Sequence, residues 1–208
     1  MDDSKFSAGA GSEPGTGSGP AAPSEVLFIG GCSGVGKTSA ALELHALLAA
    51  LDVRHAVIEG DVLDLAHPAP WMHPSPWKNG LAARNLAALW QNYRTLGYRR
   101  LIYTNTVSVR ETAELVEAMG DAPRVHAVLL CGSESSVASR LAGRESGSAL
   151  TQHLNRSREA AASLDLHTPQ WVHRVSTDGC TPSEVAARLL ALTGWAAPDQ
   201  SRRLSPSA

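Results

Sequence analysis

The sequence has almost no lysine. Of 208 residues only Lys5, Lys37 and Lys78 are lysines, and 18 basic residues stand against 20 acidic ones, a net charge of −2. A chain without a basic excess offers no electropositive field for nucleic acid or for an anionic membrane, so neither is expected as a partner. Cysteine is sparse as well. Cys32, Cys131 and Cys180 lie far apart and form no C-x-x-C pair. That excludes a disulfide scaffold and fits a reduced, intracellular, cytoplasmic protein. No apolar run approaches the ~20 residues that span a bilayer. The acidic, glycine-rich beginning of the chain does not read as a secretory leader. There is no Asn-Lys-x-Asp stretch to read guanine, which argues against a GTPase. No internal repeat is evident.

What the sequence does have is concentrated in residues 26–38. Val26 to Ile29 is a short apolar run that predicts a buried strand. Gly31, Gly36, Lys37 and Thr38 then match the spacing G-x-x-x-x-G-K-[ST]. Ala40, Ala41, Leu44, Leu47, Leu48 and Leu51 follow at helical spacing. Strand, glycine loop and helix is the context in which this spacing binds phosphate. Glycines let backbone N–H groups approach an anion without an intervening Cβ. The helix start adds unpaired N–H groups and the positive end of its dipole. Lys37 can reach the β- and γ-phosphates, and the Thr38 hydroxyl can ligate Mg²⁺. The expected nucleotide-binding residues are Gly31, Cys32, Ser33, Gly34, Val35, Gly36, Lys37, Thr38 and Ser39.

The rest of the chain predicts one α/β domain. Residues 1–24 and 196–208 are expected to be flexible tails, with the folded domain at 25–195. Strands are expected at 25–30, 53–59, 99–104, 125–131 and 171–176. Helices are expected at 37–51, 81–96, 133–143, 149–166 and after Thr181. A further helix is expected from Ser108, where Ser108 and Glu111 have capping-box spacing. Thr181 and Glu184 repeat that spacing with Pro182 at the first helical position. Four prolines at 68, 70, 74 and 76 exclude a long helix between the second strand and the next helix. Alternating strands and helices predict a three-layer sandwich around a five-stranded parallel sheet.

Ligands of such sheets bind beyond the carboxyl ends of the strands. After the second strand stand Glu59, Gly60 and Asp61. Asp61 could take the proton of an attacking hydroxyl, orient that hydroxyl, or hold Mg²⁺; as a solvated residue it would simply cap the next turn. Glu59 reads as a strand-end charge, and Asp64 as a turn residue. After the third strand come Thr104, Asn105 and Thr106, where many phosphate-loop proteins carry an acid and this chain has none. Arg140 and Arg144, four residues apart on one helical face, are expected to be lid arginines that meet phosphate oxygens, with a solvated basic face as the alternative. Arg156 and Arg158 are secondary candidates. Thr177, Asp178 and Gly179 either flank the nucleobase or form a simple turn. Trp71 and Trp77 either stack on a flat substrate or pack locally. His67 and His73 lack companions at metal-ligand spacing. Arg84 is placed to meet an anionic substrate group.

With these residues in hand, the chain resembles the small phosphate-loop kinases, which include nucleoside monophosphate, shikimate, gluconate, adenylylsulfate and chloramphenicol kinases. The resemblance spans about residues 25–195. It rests on Gly31 to Thr38, the Ile58 to Asp61 strand end, the stretch from Arg140 to Arg144, and the closing segment from Thr177 to Glu184. The chain is also similar to a group of actinobacterial ATP-binding proteins with an Ile-Glu-Gly-Asp strand end. The resemblance implies the P-loop NTPase fold with a lid, ATP with Mg²⁺ as cofactors, and a small-molecule acceptor held between the second-strand loop and the lid. It implies catalytic roles for Lys37, Asp61, Arg140 and Arg144, and a metal site at Thr38 and Asp61. The chain is expected to act as a monomer or homodimer. A kinase of unknown acceptor is the expected function. A nucleotide-binding regulatory switch without an acceptor is the alternative.

Overall fold

The computed structural model describes residues 23–72, 80–143 and 146–196. The tails expected at 1–24 and 196–208 lie almost wholly outside them, as do Arg144, His73 and Trp77 and the side chain of Trp71. Five strands form one sheet: β1 (Glu25–Gly30), β2 (Ala56–Glu59), β3 (Arg100–Thr104), β4 (Arg124–Cys131) and β5 (His173–Ser176). All pair in parallel, in the order β2-β3-β1-β4-β5. Among the described residues six α-helices connect and follow them, α4 and α5 in succession: α1 (Lys37–Ala50), α2 (Leu81–Thr95), α3 (Thr112–Met119), α4 (Glu134–Ala142), α5 (Gly147–His167) and α6 (Pro182–Thr193). Among the described residues no helix is long and apolar enough to cross a membrane.

The period-two alternation of strand side chains makes two cores. Leu27, Ile29, Ile102, Val128 and Leu130 face Ala40, Ala41, Leu44 and Leu48 of α1 and Val185 and Leu189 of α6. Val26, Phe28, Leu101, Tyr103 and Leu129 face Leu86 and Trp90 of α2, Leu115 and Met119 of α3, and Leu164 of α5. β1 is central and buried from Val26 to Gly30, as a strand covered on both faces must be. Because β1 pairs with both β3 and β4, the chain connections diverge there, and the loop after β1 opens onto the crevice at that switch point.

The two capping-box spacings part company. At α6 the box forms: the Glu184 N–H donates to Thr181 Oγ1 at 3.3 Å, and the Thr181 N–H donates to Glu184 Oε2 at 2.7 Å. Hydrogen bonds from Thr181 hold the Glu184 carboxyl below its ordinary pKa. At the other site the expectation fails. Ser108 is 0% exposed, its hydroxyl donates to Asn105 O at 3.2 Å, and α3 starts only at Thr112 with no side-chain cap at Glu111. Tertiary burial of Ser108 in the turn after β3 overrides its capping tendency. β2 and β5 are shorter than expected for a similar reason. The Val53 N–H closes the end of α1 by donating to Leu48 O, and the Val172 N–H closes a turn onto Pro169 O.

Candidate functional site

The loop between β1 and α1 is built on backbone that a side chain would break. Gly31 has φ +146°, and a Cβ there would stand 2.7 Å from Val35 Cγ1 and 2.9 Å from the Leu130 carbonyl. The loop's outward carbonyls are bonded from elsewhere. Ser157 Oγ donates to Ser33 O at 2.7 Å, and Arg140 Nη1 donates to Val35 O at 3.2 Å. Among the described residues, no side chain caps the N-terminus of α1 at Gly36. The first-turn N–H groups therefore face the adjoining cavity as donors for an anion.

That cavity has a volume of about 280 Å³ and is lined by the loop with Lys37, Thr38, Glu59 and Asp61. Lys37 is 7% exposed. Its Nζ donates to Gly31 O at 2.9 Å and to Thr106 Oγ1 at 3.4 Å, and lies 3.5 Å from Asp61 Oδ2. Asp61 is also held from β3's end, where the Thr106 N–H donates to its Oδ1 at 2.9 Å. Gly60 makes this possible. A Cβ at Gly60 would collide with the Tyr103 hydroxyl and come within 2.8 Å of Thr104 O. Burial, and then the carboxylates of Asp61, Glu111, Asp64 and Glu59, hold the Tyr103 phenol far above its ordinary pKa.

Thr38 and Asp61, expected together around a metal, have different neighbours. The Thr38 hydroxyl donates to Glu59 Oε2 at 2.7 Å. Glu59 Oε1 and Thr104 Oγ1 are buried with no hydrogen-bond partner among the described residues, and β2–β3 pairing sets Glu59 beside Thr104. Hard oxygen donors with unused lone pairs suit Mg²⁺, which takes one or two protein ligands and completes its shell with water and phosphate. Glu59, read from sequence as a strand-end charge, is the carboxylate that meets Thr38. The signal was available: on β2 it shares a face with Val57, which packs in the α1-side core.

A second cavity of about 230 Å³ adjoins the first, sharing Gly34, Gly36 and Ser39, and continues along Val35, Arg140, Thr177 and Pro182. Arg140 is fixed here. Besides Val35 O it donates to Thr177 Oγ1 at 3.0 Å and Thr177 O at 2.9 Å. It therefore borders the outer cavity, away from Asp61. Its expected lid partner Arg144 lies outside the described residues. Asp178 accepts from the Ser133 N–H and lies at the start of α4; hydrogen bonds from Ser136 and Ser133 lower its carboxyl pKa. Asn105 Oδ1 accepts from the Val107 N–H, a turn role. Arg158 pairs with Glu134. Arg156 is exposed on α5. Cys32 is buried in the loop, where it serves as a small apolar wall. Two contacts had no sequence signal: His153 Nε2 lies 2.7 Å from Ser33 Oγ, and Ser157 holds the Ser33 carbonyl.

No protein-family model matches the chain, and no curated protein sequence matches it. Solved structures do. The tunicamycin resistance protein of Deinococcus radiodurans superposes with a TM-score of 0.56 at 23% identity, over 82% of this chain and 96% of that one. A sugar kinase from Janibacter sp. superposes with a TM-score of 0.55 at 17% identity, over 83% of this chain and 95% of that one. A gluconokinase from Sinorhizobium meliloti gives 0.52 at 22% identity, over 83% and 91%. Likeness at these identities shows a shared fold.

Proposed function

We propose that a chain with this fold and this loop is an ATP-dependent small-molecule kinase that passes the γ-phosphoryl group to a hydroxyl or phosphate acceptor. The observation that carries the reading is the buried Lys37 ammonium. It sits at the mouth of an N–H-lined loop, 3.5 Å from a carboxylate that is itself held in place by Thr106. In this reading the inner cavity takes the polyphosphate. The loop N–H groups and Lys37 neutralise it, and Lys37 exchanges Gly31 O for phosphate oxygens. The outer cavity takes the nucleobase, between Arg140 with Thr177 on one side and Pro182 on the other.

Asp61 is assigned as the base. Its carboxylate lies at the Lys37 end of the inner cavity, where it can orient an acceptor hydroxyl and accept its proton as the new P–O bond forms. Thr38 and Glu59 are assigned as the residues that would hold Mg²⁺, which supplies charge neutralisation of the phosphates when bound. Positioning and charge compensation then do most of the catalytic work.

The test is an ATP-consumption screen against nucleosides, monophosphates, sugars and antibiotics, with Asp61→Asn as the control. Acceptor-dependent turnover that falls about a hundredfold or more in Asp61→Asn, with ATP binding retained, supports the kinase. ATP binding without stimulation by any acceptor refutes it in favour of a nucleotide switch.

A further inference from the structure

Ser33 is gripped twice by one helix. Ser157 Oγ of α5 holds its carbonyl at 2.7 Å, and Ser157 is 3% exposed. One turn earlier, His153 Nε2 lies 2.7 Å from the Ser33 hydroxyl. Residues four apart share a helical face, so both contacts come from the same side of α5. Ser33 lines the inner cavity with Lys37 and Asp61 and is absent from the lining of the outer one. It therefore stands at the terminal-phosphate end of the proposed nucleotide.

A hydroxyl has one proton to give. If that proton goes to His153, Ser33 turns only lone pairs toward the cavity, and phosphate oxygens are repelled. If His153 Nε2 carries a proton and donates it to Ser33 Oγ, the serine proton is left to point into the cavity. Phosphate oxygens accept and do not donate, so only the second arrangement suits them.

We propose that His153 is a positioning residue whose Nε2–H donates to Ser33 and thereby turns the Ser33 hydroxyl proton onto the terminal phosphate of a nucleoside triphosphate. The inference rests on the reading of the loop as a triphosphate site. It makes α5 a determinant of triphosphate over diphosphate preference, since the contact it sets is made to the last phosphate alone.

Calorimetry on the full chain tests it, with magnesium and either an imido-bridged ATP analogue or ADP. His153→Ala is expected to weaken the ATP analogue about tenfold, the loss of one hydrogen bond to a charged group. ADP affinity is expected to stay within about twofold. His153→Gln, which keeps a donor, is expected to retain the preference for the ATP analogue, and His153→Glu, which offers only an acceptor, to fall below His153→Ala. In a Ser33→Ala background, His153→Ala is expected to have no further effect. Equal losses for both nucleotides, a Glu variant as tight as the Gln variant, or additive losses in the double variant overturn the inference. Because the Gln and Glu variants are compared as a ratio of two ligands on one sample, a loss of stability in the Ala variant does not hide the outcome. A wild-type chain that binds neither nucleotide overturns the triphosphate reading itself, and this inference with it.

Discussion

Replacing Lys37 by methionine separates what this residue does for folding from what it does for binding. The ammonium is buried and lies 3.5 Å from Asp61, whose side chain is 38% exposed. At an effective dielectric of 20 the bare attraction is about 5 kcal/mol. Solvent screening at the half-open carboxylate removes much of that. Desolvating the ammonium costs several kcal/mol more, so the net contribution to folding is about zero. Methionine fills a similar volume and carries no charge to desolvate. The melting temperature of Lys37→Met is therefore expected within about 4 °C of wild type, or above it. Nucleotide binding is different. A triphosphate loses at least one charge-assisted hydrogen bond and a nearby full charge, about 3 kcal/mol, or a hundredfold in affinity. Differential scanning fluorimetry with and without magnesium–ATP reads both effects on one sample. A variant that melts like wild type and still binds ATP within threefold would refute the assignment of Lys37 to phosphate. A collapse of stability by tens of degrees would refute the balance worked out for the buried pair.

Two further outcomes are expected. Glu59→Gln keeps the size of the side chain but removes its charge, and should raise the Mg²⁺ concentration needed for half-maximal ATP binding about tenfold; a Mg²⁺ titration of ATP affinity checks this, and an unchanged midpoint would return the metal to Asp61. His55 has its pKa lowered, chiefly by burial and then by His45 and Arg100, so the unfolded chain takes up a proton more readily than the folded one. Stability linked to His55 is complete above its unfolded pKa and is lost as pH falls through that value toward the folded one. Thermal melts between about pH 8 and 5 should slope less steeply in His55→Gln than in wild type; parallel slopes would remove His55 from the acid sensitivity.

The parts of the site that lie within one strand–loop–helix unit were readable, because their geometry is local. The spacing of residue types from Gly31 to Thr38 marks β1, a tight turn and α1, while the contacts that wall the loop in come from β4, α4 and α5. Asp61 was readable as a strand-end carboxylate. Its partner was not, since the Thr106 N–H is supplied from β3's end. The choice between Glu59 and Asp61 at Thr38 depends on where β2 ends: Glu59 is its last residue and Asp61 lies past it in a short turn, a difference that a motif does not encode. Ser108 shows the reverse failure: a correct local signal lost to burial. His153 is 120 residues from Ser33 in the chain, and no sequence motif links the two. Its role is a matter of helix phase and docking, which only the assembled fold defines.

The order of the strands also sets when the phosphate loop acquires its shape. Glu25 of β1 is flanked by Arg100 of β3 on one side and Arg124 of β4 on the other, both far downstream. During synthesis the glycine-rich stretch emerges with its sequence complete and its walls missing. The carbonyl that crowds Gly31 belongs to Leu130, and the hydroxyl that fastens Ser33 belongs to Ser157. Closing such distant pairings is slow compared with forming a helix. The nascent chain thus carries its most recognisable motif through most of translation without the residues that wall it in.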